Sequence, residues 1–153
     1  RIRLVCSASR SPTALLDQLH DELNFLDHHP ETETTLLIHP GTLNDFDRYN
    51  QFLQHVDWLI ESHEWLGIYQ VASFHPDYRF AGTGDEDAEN YTNRSPHPML
   101  HLLRESSLQR AIESHGDTSA IPTRNIELMN ELGTQRLIEL LAHCMQGAAA
   151  GDS

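Results

Sequence analysis

The chain has 153 residues, 39% of them hydrophobic and 22% charged, the composition of one folded domain with its own core. Its formal charge of −13 sets a repulsive field against nucleic acid and anionic membrane, so neither is an expected partner. No apolar run approaches the roughly 18 residues that a membrane span needs, and the start, Arg1-Ile-Arg-Leu-Val-Cys, lacks the apolar stretch of a signal peptide; a cytoplasmic protein is expected.

The chain opens on Arg rather than Met, which points to a piece of a longer product. Cys6 and Cys144 lie at opposite ends, without the spacing of a zinc site, and read as two buried thiols, with one long-range disulfide as the alternative. Every basic residue is Arg, a bias that base composition or salt adaptation explains without any function. Half of the ten, Arg79, Arg94, Arg104, Arg110 and Arg124, fall within residues 79–124.

Residues 1–7 alternate Ile2, Leu4 and Cys6 with polar neighbours, the period of a strand with one wet face. Ser11-Pro12 reads as cap and first turn of a helix, carried to about Asp27 by Leu15, Leu19, Leu23 and Leu26. Residues 34–38 form a short apolar run, a strand buried on both faces, and it stops at His39-Pro40-Gly41. Phe46, Tyr49, Leu53, Val56 and Ile60 then step by three and four, a second helix with Asn44 as its cap. Residues 68–74 make a third strand, ending in a second His-Pro pair, His75-Pro76.

From there to Pro98 the chain is polar and aperiodic, apart from a possible hairpin returning along residues 79–81. Pro98 is read as opening a helix over residues 99–114 that is apolar most of the way round and so buried on more than one side. Helical stretches at 122–131 and 134–145 follow, and residues 147–153 read as a flexible tail after a single domain of residues 1–146. The predicted fold is α/β: a small, mainly parallel β-α-β-α-β sheet, a long loop and three C-terminal helices. A ferredoxin-like or otherwise mixed α+β sheet is the alternative.

In such a sheet His39 and His75 both lie at carboxyl ends of strands, where open α/β sheets bind ligands, with Ser7 and Ser9 on the same rim. The amino end of the helix expected at Pro98 would add an anion site there, and on that helix His101, Arg104 and Glu105 would share one side. Arg79 and Arg94 flank the rigid Ser95-Pro96-His97-Pro98 segment, and a guanidinium fork matches carboxylate or phosphate.

Gly82-Thr-Gly-Asp lacks the third glycine of a dinucleotide fingerprint, the acidic run at 85–89 lacks the spacing of a calcium loop, and the glycosylation patterns at Asn90 and Asn93 are chance matches.

Several segments resemble a known family: Thr35-Leu-Leu-Ile-His-Pro, Asp45-Phe followed by Tyr49-Asn50, Gln70-Val-Ala-Ser-Phe-His-Pro-Asp-Tyr78, Phe80-Ala-Gly, and the run from Thr92-Asn-Arg-Ser-Pro-His-Pro through Met99 to Glu105. The family is a bacterial and plastid-lineage one, catalogued as a domain of unknown function, number 1415, and the likeness extends through Asn125 and Gly133. The resemblance implies no particular activity. It implies a further helical segment with a Cys-Pro-Phe motif ahead of the first strand, which this sequence follows.

The functional expectation is a small enzyme acting on an anionic small molecule at the carboxyl edge of the sheet. His75 and His101 would serve as acid or base with Asp77 orienting a histidine, and Arg94, Arg104, Arg79, Asn93 and Ser95 would hold the anion. A narrower version is a divalent metal on His39, His75, His101 and Glu105, with Asp77 and His97 in reserve. The alternative is a non-catalytic binding or protein-interaction domain, in which the Arg/His/Glu network is structural and Trp58 and Trp65 make a protein contact.

Overall fold

A computed structural model describes residues 1–116 and 118–150, with side chains through residue 146. In chain order the elements are β1 (Ile2–Cys6), α1 (Pro12–His28), β2 (Thr34–Ile38), α2 (Phe46–Ser62) and β3 (Tyr69–Phe74). A 3-10 helix (Ala88–Asn93), β4 (Met99–Arg104), α3 (Glu105–His115), α4 (Ile121–Leu132) and α5 (Thr134–Ala150) follow. Helix α5 therefore continues through the start of the expected tail, whose last three residues lie outside the described ones. Among the described residues no helix is long and apolar enough to cross a membrane.

The sheet has four strands in the order β1-β2-β4-β3. β1 and β2 are parallel, and β4 runs antiparallel to both β2 and β3. The sheet is thus mixed, although β1, β2 and β3 all point the same way. The inserted strand corrects the sequence reading, which placed a helix over residues 99–114. Within β4, Leu100 and Leu102 are fully buried while Met99, His101 and Leu103 face the other side. An interior strand bonded on both edges takes apolar residues on both faces, so its side chains look like those of a helix that is apolar all round. The helix starts only at Glu105.

Two successive right-handed crossovers, advancing the same way across the sheet, place their helices on one face. That face carries the core: Leu15, Leu19, Leu23 and Leu26 of α1 and Tyr49, Phe52, Val56 and Leu59 of α2, against Leu37, Leu100 and Leu102. Ser11 caps α1 as its position predicts, accepting from Ala14 N–H at 3.2 Å. Asp45, not Asn44, caps α2 by accepting from Arg48 N–H at 3.0 Å, while Asn44 donates back to the Pro40 carbonyl. A carboxylate at that end also meets the positive pole of the helix.

The opposite face is bare along β1, where Ile2 and Leu4 are 67% and 68% exposed. Cys6 shares that side, so it is exposed and free, as is Cys144, against the expectation of two buried thiols. Helices α3 and α4 hold no buried residue. Trp65 packs in the core and donates from Nε1 to Asp27 at 2.9 Å, leaving Trp58 as the exposed tryptophan.

Candidate functional site

Because β2 and β3 are parallel, His39 and His75 do follow strand ends on one rim, separated by the start of β4. Both rings are fully buried. Tyr49 stands between them, with ring centroids 5.9 Å from His39 and 4.9 Å from His75. Its hydroxyl donates to the Met99 carbonyl at 2.8 Å and accepts from Phe74 N–H at 3.0 Å, which ties β3 to β4 at the rim.

The tautomers follow from the partners. His39 Nδ1 is 3.1 Å from the Thr42 carbonyl, which can only accept, so the proton sits on Nδ1 and Nε2 carries a lone pair. Nε2 finds no hydrogen-bond partner among the described residues. Burial, with a smaller push from His75, lowers the His39 pKa to about 4. His75 has the opposite tautomer: Nε2 donates to the Leu43 carbonyl at 3.0 Å and Nδ1 accepts from Asp77 N–H at 3.0 Å. Burial lowers its pKa as well. The receiving carbonyl belongs to Leu43, held in left-handed backbone at φ 60°, a strained state for a side chain of that size. Gly41 is needed nearby, since a Cβ there would lie 2.7 Å from the Ser9 carbonyl oxygen.

The long polar loop is held by two residues. Asn90, fully buried, accepts from Phe80 N–H and the Thr83 hydroxyl, both at 2.9 Å, and donates to the Gly84 carbonyl at 2.8 Å. Arg94 donates from Nε to the Tyr78 carbonyl at 3.0 Å and from Nη2 to the Asp85 carbonyl at 2.9 Å, while stacking 4.4 Å above the Tyr91 ring. Arg79 meets the Asp85 carboxylate at 2.6 Å. Between this loop and the first turn of α2 opens a cleft of about 450 Å³. Asn44, Asp45, Phe46, Asp47, Asp77, Arg79, Asp85 and Arg94 line it, so four carboxylates face two guanidiniums.

Of the remaining predicted residues, Asn93 and Ser95 lie on this rim. Asn93 donates to the Ser73 carbonyl at 3.0 Å, and the Ser95 hydroxyl to the His97 carbonyl at 2.6 Å. Ser7 and Ser9 are there too, both on the Gln18 side-chain oxygen.

His101, Arg104 and Glu105 are not brought to the rim. His101 sits mid-strand, paired with Leu36 and Ala72, its Nε2 2.9 Å from the Thr34 hydroxyl, and burial lowers its pKa. Arg104 is at the far end of β4, about 17 Å from Met99 at a rise of about 3.4 Å per residue. There its guanidinium donates to the carbonyls of Leu26, His29 and Thr32 at 2.8–3.1 Å, closing the carboxyl end of α1. The separation follows from the strand: a helical turn would have kept residues 101–105 together, whereas a strand spreads them along its length. Among the described residues no group of three or more His, Cys, Asp or Glu gathers as metal ligands would.

The sequence model of one family, the protein of unknown function DUF1415, matches residues 1–139. The chain belongs to that family. No curated protein and no solved structure matches it. The family match covers every element of the rim and the cleft, including positions that sequence reasoning did not single out. Asp47 was legible only as part of the opening of α2, whereas Asp45 and Tyr49 stood out only as part of a family-like segment, with no role in a site. Asn90 was set aside with a chance glycosylation pattern; its signal was an amide, one of two with Asn93, inside a long polar loop.

Proposed function

We propose that the cleft at the carboxyl rim binds a small charged metabolite, and that the two buried histidines hold the rim in shape. The observation that carries this reading is the convergence of Asp47, Asp77, Arg79 and Arg94 on one open cavity of about 450 Å³, from elements distant in sequence. A volume of that order accommodates a small ligand.

Its lining refines the expected anionic partner. Arg79 and Arg94 offer forks to a carboxylate or phosphate, while Asp47 and Asp77 offer a place to an amine or guanidinium. A ligand carrying both charges answers the four-to-two lining better than a simple anion does. The test is a thermal-shift series in which simple anions, simple amines and amino-acid-like zwitterions are compared at equal concentration. A ligand at 100 times its dissociation constant adds about 2.7 kcal/mol to stability. Zwitterions should give the largest shift, and Arg79→Gln or Asp47→Asn should each abolish it in a protein that still melts cooperatively. Equal, zero shifts across the series would end the reading.

A further inference from the structure

We infer that a second ligand site lies on the other side of the long loop, where residues 80–83 face α4, and that it takes a small, flat apolar molecule with an uncharged or cationic hydrogen-bonding head. Successive residues of the loop divide between the two sides: Arg79 and Arg94 line the charged cleft, whereas Phe80 and Asn93 line this cavity. Its volume is about 660 Å³, the larger of the two. Phe80, Ala81, Pro122 and Ile126 supply an apolar body, and Thr92 and Asn125 supply a few polar atoms, the division of labour typical of small-molecule sites.

Two observations go beyond shape. The Thr92 hydroxyl oxygen is buried and has no hydrogen-bond partner among the described residues, a state that costs free energy unless something outside the chain meets it. Phe80 keeps 36% of its surface exposed although α4 packs across the neighbouring 3-10 helix, so an aromatic face is open toward the cavity rather than stacked under the helix. Flat apolar ligands pair with such a face. Charge sets the class further. Glu89 is the one ionisable residue in the lining, and in a chain of net charge −13 nothing there compensates an anion. This site is thus complementary in kind to the carboxyl-rim cleft and does not depend on it.

The experiment uses the full chain and an uncharged dye, N-phenylnaphthylamine, whose fluorescence rises in apolar surroundings. Saturable, one-to-one enhancement is expected. Phe80→Ala, and separately Ala81→Trp, which fills the cavity without removing a buried group, should each weaken the dye by about tenfold or more. Leu4→Glu, on the bare side of β1, should leave binding unchanged. Tryptamine should displace the dye, and Thr92→Val should raise the concentration needed by about tenfold, because its ammonium or indole N–H loses the hydroxyl.

No saturable enhancement would overturn the site, as would a loss of enhancement in Leu4→Glu but not in Ala81→Trp, which would put the dye on the open sheet face. Equal affinity for anilinonaphthalene sulfonate would overturn the charge argument. Unchanged displacement by tryptamine in Thr92→Val would remove the hydroxyl from the site.

Discussion

The two rims of the sheet treat the same kinds of residue in different ways. At the amino-end rim, Arg104 spends its guanidinium on three backbone carbonyls at the end of α1, and the cavity of about 380 Å³ that opens there is lined by Arg1 and Arg3 instead. At the carboxyl rim, Arg79 and Arg94 also bond within the chain, yet both still line an open cleft beside Asp47 and Asp77. An arginine on an apolar stretch is therefore a poor guide to a ligand by itself. What separates scaffold from candidate site is whether solvent-accessible space remains beside the charge once the chain's own acceptors have been served.

That contrast can be broken by mutation. The largest effect is expected at the amino-end rim: Arg104→Ala leaves the end of α1 without its donors and should cost about 3–4 kcal/mol in urea unfolding, without altering the ligand response of the carboxyl-rim cleft. A small loss there would make Arg104 a surface group and erase the distinction. Next comes acid. The folded pKa of His39 is depressed from 6.5 to about 4, so below about pH 6.5 the unfolded chain takes up a proton that the folded one refuses. Stability should fall as pH drops from about 6.5 to about 4, by an amount on the order of 3 kcal/mol from this group, and level off below that. His39→Gln should flatten this part of the pH profile, and an unchanged slope would mean that the ring is not held neutral.

Removing the cap of α2 with Asp45→Ala should cost about 1 kcal/mol and, since Asp45 lines the cleft, should also change ligand-induced shifts. An altered melt with unaltered shifts would place that carboxylate outside the site. The smallest effect belongs to Arg79. Its partner is an exposed carboxylate, so Arg79→Gln should change stability by no more than about 0.5 kcal/mol while removing ligand response at the open rim.

Much of the frame was legible in the letters. The leucine ladder of α1 and the steps from Phe46 to Ile60 follow from helical geometry, and both His-Pro pairs mark strand ends because proline has no N–H of its own to continue the ladder. Their meeting on one rim needed only parallel β2 and β3, which short crossovers favour. Residues 99–104 were not legible, because an interior strand and a buried helical turn carry the same apolar letters. That single ambiguity also moved His101, Arg104 and Glu105 away from the rim where a helix would have kept them. The cleft was partly hidden for another reason. Asp85 looks like part of a solvated acidic run until the loop, folded around Asn90, brings it to Arg79.

The uncovered side of β1 has a consequence for handling the protein. Among the described residues strand β1 ends the sheet, and beside its edge Ile2 and Leu4 stand about two-thirds in water, a template for sheet-to-sheet association between copies. At a formal charge of −13, long-range repulsion opposes that association, and mild acid and added salt both weaken it. Colloidal stability should therefore fail before the fold does, and a charged residue in place of Leu4 should restore it without touching either cavity.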